Sequence, residues 1–405
     1  MRIKRMGTRG ALLVGTVFLA VVTTVLAAVA AYPAAAQNDS GAAPDSLERP
    51  FVSGGIYDKP FIVQTGRASL GGYLDAQARY TRDAGVGEFT FLLERLNLFV
   101  FAPVSERVRV AAEIEFEDGG EEVKIELGIV DFEIHEAATF RAGILLSPLG
   151  RFNLAHDSPA NELTDRPLVS TEIIGVTLSE PGMGFLGAFY PSERSRVTYE
   201  AYLTNGFDDG VLTEGEGTQI PKGRGNFEDN NNYPAFVSRV AFSPDPAFEI
   251  GVSGHTGPYN TWQEDGLAVD NRRELSLFVV DIDAQWRRFR FSGEAARGWV
   301  EIPASLEGVN SANQRGFYLE GAATLFKDRI PNLPHSHATA AARFDDVDFD
   351  TETEGDSIKR ITLGANLRVS YDTVFKLDYQ YNWGRDAFNN ETNAAAILLS
   401  VASYF

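Results

Sequence analysis

Hydrophobic and polar residues alternate one by one through many segments of this chain. In RITLGANLRVSY (360–371), every second residue from Ile361 to Val369 is apolar, and the residues between them are polar or glycine. The segments FKLDYQYNW (375–383) and RVRVAAEIEFE (107–117) repeat this pattern. A period of two places successive side chains on opposite faces of a β-strand. The alternation therefore predicts an all-β protein whose strands have one apolar and one polar face.

The predicted strands are long. Their alternating runs often cover ten to thirteen residues, whereas strands in soluble proteins average roughly five or six. A tilted strand needs about ten residues to cross a bilayer. Because a soluble β-sandwich would show the same alternation, strand length is what favours a transmembrane barrel over a sandwich.

Short and long connections follow one another along the chain. Counting strands between them gives sixteen strands, seven tight turns and eight mostly longer loops. Short turns at one rim and long loops at the other are typical of outer-membrane barrels. We therefore predict a transmembrane antiparallel β-barrel of about sixteen strands over 67–405, with both ends at the short-turn rim. The longer loops are predicted at 83–87, 118–121, 148–182, 205–232, 257–270, 302–313, 346–357 and 385–392.

The segment TEIIGVTLSE (171–180) also has the composition of a strand. Treating it as one would move the long loop 205–232 to the rim that carries the short turns. It is therefore interpreted as part of a 35-residue third loop, 148–182.

The N-terminus has the three parts of a secretory signal peptide. Four basic residues in the first ten precede an uncharged run at 11–31, and alanines 34–36 form a small-residue cleavage site. We predict a signal peptide over 1–36, cleaved after Ala36, followed by a periplasmic lead-in over 37–66. The 21-residue run is long for a signal peptide, so an uncleaved membrane anchor is the alternative.

The composition excludes several kinds of site and argues against one class of partner. The chain has no cysteine, which excludes disulfides, thiolate metal sites and cysteine nucleophiles. Its formal net charge is −20, and removal of the basic signal segment makes the mature chain more acidic still. Such a charge argues against nucleic acid as a partner.

The chain ends on the uncharged segment AILLSVASYF (396–405). In hydrocarbon every backbone polar group must be paired, so the last strand of a membrane sheet has to pair with the first. The aromatic end, Tyr404 and Phe405, resembles the signal read by the bacterial barrel-assembly machinery. Ser403 departs from that pattern, because it interrupts the apolar row of every second residue.

Two stretches resemble porins of the phosphate-selective porin O/P type. The first is SPLGRFNLAHDSPANELTDRPLV (147–169) with SEPGMGFLGAFY (179–190), and the second is ITLGANLRVSYDTVFKLDYQYNW (361–383). The resemblance implies a trimeric sixteen-stranded porin whose third loop folds into the lumen. It also implies anion selectivity through a ladder of arginines and a lysine cluster.

The lysines of this chain are scattered rather than clustered. The residues therefore favour a general porin in the outer membrane of a Gram-negative-type bacterium, in contact with membrane lipid. It would let small polar solutes and inorganic ions diffuse passively, with the 148–182 loop as the constriction. A phosphate- or anion-selective channel of the same fold is the alternative.

The alternation also assigns charged side chains to the lumen. A water-filled barrel interior is normally polar, so each charge either contributes to selectivity or is ordinary solvated wall. The candidate lumen-wall residues are Arg107, Arg109, Lys124, Arg141, Arg196, Arg368, Lys376, Glu113, Glu115 and Asp378.

The third loop holds the candidate constriction residues. Charges at a constriction set the field that selects ions by sign, but the same charges could instead pin the loop to the wall. Both interpretations remain open. The candidates are Arg151, His156, Asp157, Asp165 and Arg166.

Other function classes have little support. No nucleophile elbow is found, and the contiguous His156, Asp157 and Ser158 do not form triad geometry, so no enzyme activity is predicted. His335 and His337 lack an evident third metal ligand, and neither a metal nor a cofactor is expected. A soluble secreted β-rich binding protein is the remaining alternative.

Overall fold

The computed structural model describes residues 59, 63–65, 68–135, 137–213, 217–331, 333 and 335–405. The predicted signal peptide and most of the predicted lead-in lie outside the described residues, and both stay predictions.

Sixteen antiparallel strands form one closed barrel, as the alternation predicts. Each strand pairs with the next along the chain, and the last pairs with the first. The strands are β1 (Ala68–Asp83), β2 (Val86–Pro103), β3 (Val108–Glu117), β4 (Glu122–His135), β5 (Ala138–Leu146), β6 (Ser179–Ser192), β7 (Ser195–Thr204), β8 (Ala235–Asp245), β9 (Phe248–Pro258), β10 (Glu274–Trp286), β11 (Phe289–Val300), β12 (Asn313–Lys327), β13 (His337–Asp348), β14 (Ser357–Arg368), β15 (Thr373–Arg385) and β16 (Glu391–Tyr404).

The barrel closes where β1 meets β16. Tyr73 lies opposite Tyr404, and the pairing continues to Asp83 opposite Ala394. Beyond this ladder, Phe405 and Gly72 exchange two backbone hydrogen bonds of 2.9 and 3.0 Å. The sheet therefore has no open edge along this seam, as hydrocarbon requires.

The two faces of the strands lie as the alternation predicts. On β14, Leu363 is 51% exposed on the outer surface, while Thr362 and Asn366 are buried in the lumen. The outward positions of β15 are likewise exposed aromatic and aliphatic residues, from Phe375 to Tyr381. An apolar outside and a polar inside invert the pattern of a soluble protein.

The connections alternate between rims with two differences from the prediction. The first loop is a two-residue turn at Ala84 and Gly85, both with positive φ, which suits a tight hairpin. The third loop runs over 147–178, because β6 already begins at Ser179. Its segment Ser170–Ile174 is one helical turn rather than a strand, which confirms the loop interpretation.

Helical structure is short throughout the described part of the chain. The longest helical elements there are turns of four or five residues, and no described helix has the length and hydropathy to span a membrane. The bounds are Asp118–Gly120, Arg151–Leu154, Ser170–Ile174, Asp209–Val211 and Ile220–Gly223. The short strand Val63–Thr65 is added to the barrel sheet beside β1. Two small separate hairpins are formed by Leu212–Thr213 with Gly217–Thr218 and by Gln263–Glu264 with Leu267–Ala268.

The buried apolar cluster lies within the barrel. Leu168 and Ile173 of the third loop pack in one cluster with Ile220 of the fourth loop and with the wall residues Leu277 and Val279. The third loop thus crosses the interior and contacts the wall through an apolar face. Its polar contacts define the candidate site.

Candidate functional site

Inward side chains of the wall accept hydrogen bonds from the backbone of the third loop. The N–H of Gly150 donates to Ser253 Oγ at 2.9 Å, and that of Phe152 donates to Glu294 Oε1 at 2.5 Å. These bonds satisfy loop amides that are shielded from water. Strands β15 and β13 add two pairs of the same kind, Thr164 to Asp378 at 2.6 Å and Leu168 to Asp345 at 2.9 Å.

Basic residues of the neighbouring strands β13, β14 and β15 donate to loop carbonyls. Lys376 Nζ lies 2.8 Å from the carbonyl oxygen of Ser158, and Arg368 Nη1 lies 2.6 Å from that of Pro159. Arg343 Nη2 lies 3.0 Å from the carbonyl oxygen of Asp165. Two of the predicted wall cations, Lys376 and Arg368, therefore hold the loop in place.

Asp165, one of the predicted constriction residues, forms a partly exposed ion pair with Arg79. Asp165 Oδ1 lies 2.7 Å from Arg79 Nη2, and the two side chains are 16% and 27% exposed. Arg79 projects from β1, four strands around the barrel from the loop's attachment to β13. This pair combines both charge signs at a place that solvent reaches.

The two predicted loop arginines contact the wall and the loop. Arg151 Nη1 lies 3.1 Å from Asp283 Oδ2 on β10. The Arg166 side chain is 9% exposed, donates to the carbonyl oxygen of Val176 at 3.4 Å and approaches Glu115 to 4.0 Å. These contacts attach the loop to the wall and to itself.

His156 is buried against β4. Its Nε2 lies 2.7 Å from Glu126 Oε1, and its Nδ1 lies 2.9 Å from the carbonyl oxygen of Asn153. Burial, followed by the positive charge of Arg166, lowers the pKa of His156 to about 4. The imidazole is therefore neutral at neutral pH, and its one N–H serves one of these two oxygens.

Asp157 is buried beside the C-terminal strand. Its Oδ2 accepts a hydrogen bond of 3.1 Å from the hydroxyl of Tyr404, and its Oδ1 lies 2.9 Å from Lys59 Nζ. Burial alone would raise the pKa of Asp157, but the Lys59 charge and these hydrogen bonds outweigh it and lower the pKa. Asp157 is thus an ionised carboxylate that is paired with the ammonium group of Lys59.

Most of the other predicted wall residues form charge pairs within the lumen. Arg141 and Asp131 make a two-bond pair at 2.7 and 2.8 Å, a geometry that fixes both groups. Arg107 differs, since it lies exposed in a short turn. The remaining pairs are Arg109 with Glu133, Lys124 with Glu117 and Glu115, Arg196 with Glu249, and Glu113 with Lys59.

Sequence reasoning missed several lumen charges. Arg239 pairs with Asp281 at 2.5 and 3.0 Å and with Glu249 at 3.1 Å. The alternation carried that signal, because Arg239 and Asp281 sit one residue from the outward-facing Val240 and Ile282. Lys59 was missed because no strand pattern surrounds it.

The described residues contain no group of three or more metal-ligating side chains. His335 instead stacks on Tyr371 with ring centroids 4.7 Å apart and accepts or donates one hydrogen bond with its hydroxyl. His337 lies at the start of β13.

Sequence similarity assigns no family to the chain. No family model matches the chain. An uncharacterized protein of Aquifex aeolicus (strain VF5) is 29% identical over 374 residues, covering 84% of this chain and 81% of the relative.

Solved structures with this fold are outer-membrane channels. An anion-selective porin from Comamonas acidovorans has a TM-score of 0.55 at 11% identity, covering 84% of this chain and 99% of its own. The outer-membrane channel DcaP of Acinetobacter baumannii has a TM-score of 0.56 at 11% identity, with coverages of 86% and 100%. OmpF of Salmonella typhi has a TM-score of 0.53 at 9% identity, with coverages of 85% and 99%. At these identities the likeness shows the porin fold alone.

Proposed function

We propose that this protein is an outer-membrane porin through which small hydrophilic solutes and ions diffuse passively. The observation that carries the proposal is a closed sixteen-stranded barrel with an apolar outer surface and a charged interior crossed by its third loop. Such a barrel places apolar side chains in lipid and polar ones around a path for water. The structural similarity to the Comamonas porin and to DcaP supports the same function.

The third loop is proposed to form the constriction. It is attached to several wall strands, and its Asp165 faces Arg79 at the solvent-accessible pair. A constriction that carries both charge signs orients solute dipoles and weakens discrimination between anions and cations. Arg151, His156, Asp157 and Arg166 act mainly by holding the loop in position.

Strong phosphate selectivity is not part of the proposal. A phosphate path needs cationic donors that are available to the solute. Here Lys376 and Arg368 donate to loop carbonyls, and Lys124 and Arg141 contact carboxylates. These four interior cations are thus engaged within the protein, which supports a general porin.

Location and assembly follow from the same proposal. The signal peptide over 1–36 directs export, and the aromatic C-terminus, Tyr404 and Phe405, serves as the signal for the barrel-assembly machinery. The mature protein then forms a trimer in the outer membrane, with lipid around the exposed apolar strands. It requires no cofactor and performs no catalysis.

Liposome swelling tests the proposal. The purified protein, shown to be folded by its heat-modifiable gel mobility, is reconstituted and challenged with a series of sugars of increasing mass. We expect swelling that slows as sugar mass rises, because the constriction sieves by size. Boiled protein is the control, and swelling no faster than with boiled protein would contradict the proposal.

A further inference from the structure

The ammonium group of Lys59, a residue that precedes the barrel, lies inside the lumen. Its Nζ is 2.5 Å from Glu113 Oε2 on β3 and 2.9 Å from Asp157 Oδ1 on the third loop. The same atom lies 4.3 Å from the ring centroid of Phe99 on β2. The Lys59 side chain is only 7% exposed.

A short described segment lies between Lys59 and the barrel. The short strand Val63–Thr65 pairs antiparallel with the start of β1, with Val63 opposite Leu70 and Thr65 opposite Ala68. Lys59, four residues before Val63, lies at the level of Phe99 and Glu113, which are themselves opposite each other in the β2–β3 ladder.

The carboxylates around Lys59 also accept hydrogen bonds from neutral side chains. These bonds use one oxygen of Glu113 and one oxygen of Asp157, and the other oxygen of each contacts Lys59. Asn97 Nδ2 donates to Glu113 Oε1 at 2.7 Å and to Glu126 Oε2 at 3.0 Å. Tyr404 donates to the second oxygen of Asp157. Each carboxylate is thus oriented by groups other than the lysine.

Aromatic side chains complete the surroundings of the Lys59 ammonium group. The hydroxyl of Tyr73 is fully buried without a hydrogen-bond partner, and its ring lies 6.0 Å from both Phe99 and Tyr404. The face of the Phe99 ring is directed at the cation. Carboxylates combined with an aromatic face are the chemistry that binds ammonium groups.

The contacts select a primary ammonium group. Hydrogen bonds of 2.5 and 2.9 Å to two carboxylates require N–H donors, which a quaternary ammonium does not have. The neutral imidazole of His156 supplies no compensating charge. Burial would lower the pKa of Lys59, but Asp157, Glu113 and Glu126 outweigh it and raise that pKa above its usual value.

We propose that Glu113, Asp157 and Phe99 form a binding site for a primary alkylammonium group, and that Lys59 is its internal occupant. A free alkylammonium cation binds there when the lysine side chain is absent. The site rests on the contacts around Lys59 and not on the proposed function.

Chemical rescue tests the site without relying on channel activity. In Lys59→Ala the buried carboxylates lose their cation, so the temperature at which the folded gel band disappears falls by several degrees. n-Propylammonium supplies the atoms that the substitution removes. At constant ionic strength it should raise that temperature in Lys59→Ala saturably, and leave the unsubstituted protein unchanged.

The controls separate specific binding from a salt effect. Sodium and tetramethylammonium should not rescue Lys59→Ala, and the exposed-lysine variant Lys327→Ala should respond to no cation. The double variant Lys59→Ala/Glu113→Gln should lose the response, because one of the two carboxylates is gone. Equal rescue by all cations, or the same response in the unsubstituted protein, would overturn the proposal.

Should Lys59→Ala fail to fold, refolding becomes the measurement. Folded protein should then be recovered with n-propylammonium and not with sodium, and no recovery with either would overturn the proposal. A protein that is rescued in this way but shows no channel activity would instead contradict only the proposed function.

Discussion

Gly72 makes room for the last residue of the chain. A Cβ atom built on Gly72 would lie 2.8 Å from Cζ of the Phe405 ring and 2.2 Å from the carbonyl oxygen of Asn97. The neighbouring strand cannot yield at that carbonyl without losing its ladder bonds. Any side chain at this position therefore disturbs the β1–β2 ladder at Asn97 and displaces the Phe405 ring.

We expect Gly72→Ala to lower the fraction of folded barrel, measured as the heat-modifiable gel band after expression. Gly321→Ala is the matched control, since its Cβ would meet the Phe291 ring at an ordinary 3.6 Å. Equal folded fractions in the two variants would show that the Phe405 contact is dispensable.

His156 should make stability depend on pH. Its pKa is lowered to about 4 in the folded protein by burial and Arg166, against about 6.5 in an unfolded chain. Between these values the unfolded state binds more protons, so stability falls as pH decreases from neutrality. By pH 5 the loss attributable to this group is about 2 kcal/mol.

The measurement is the denaturation midpoint at pH 7 and pH 5. His156→Gln should remove part of the pH dependence, while His335→Gln, at an exposed turn position, should keep all of it. An unchanged pH dependence in His156→Gln would mean that the imidazole does not stay neutral in the folded protein.

At the scale of elements, the third loop acts through the wall side chains that hold it. Arg368 on β14 donates to the carbonyl oxygens of Pro159 and Asn161 at 2.6 and 3.4 Å. In Arg368→Ala this part of the loop loses two attachments. We expect larger fluctuations of the open-channel current, recorded in planar bilayers.

Arg315→Ala is the control for that variant, because Arg315 is an exposed residue of the barrel wall. Current noise indistinguishable between Arg368→Ala and Arg315→Ala would indicate that the loop does not border the ion path.

The pair formed by Asp165 of the third loop and Arg79 of β1 should set the ion preference. Removing the negative charge in Asp165→Asn should shift the reversal potential in a salt gradient toward anion preference. Removing the positive charge in Arg79→Gln should shift it toward cation preference. Shifts of the same sign, or none in either variant, would place the constriction elsewhere.

At the scale of the whole molecule, the architecture could be predicted because the barrel repeats one rule. Successive side chains of each strand face lipid and lumen in turn. The sequence alone therefore predicts that Leu363 faces outward and Thr362 inward. The order of short and long connections then gives the strand count. It even places most of TEIIGVTLSE, residues 171–178, in the loop, since a separate strand there would break that order.

The directions of side chains in the candidate site were harder to predict from the sequence, because β-bulges interrupt the alternation of inward and outward residues. In β2 an extra residue at Glu94 shifts the register, which turns Phe99 inward although Phe91 faces outward. In β4 the extra residue at Glu126 leaves both Glu126 and Leu127 facing inward, so that Asp131 faces the lumen as well. Glu126 lies beside the carboxylates around Lys59, because Asn97 donates to both Glu126 and Glu113.

The contacts of Lys59 could not be predicted for a different reason. Its partners lie 54 and 98 residues away along the chain, and no local pattern reports pairs at that separation. Such contacts depend on closure of the barrel and on the path of the third loop. These contacts can be identified only when the closure of the barrel and the path of the loop are known.

Single-channel recording in a planar bilayer tests the central claim most directly. The purified protein, folded by the gel-mobility criterion, is added to a bilayer in potassium chloride. We expect discrete current steps of uniform size whose conductance rises with salt concentration, because a water-filled lumen conducts ions passively. Folded protein that inserts into the bilayer without producing such steps would contradict the assignment of this barrel as a porin.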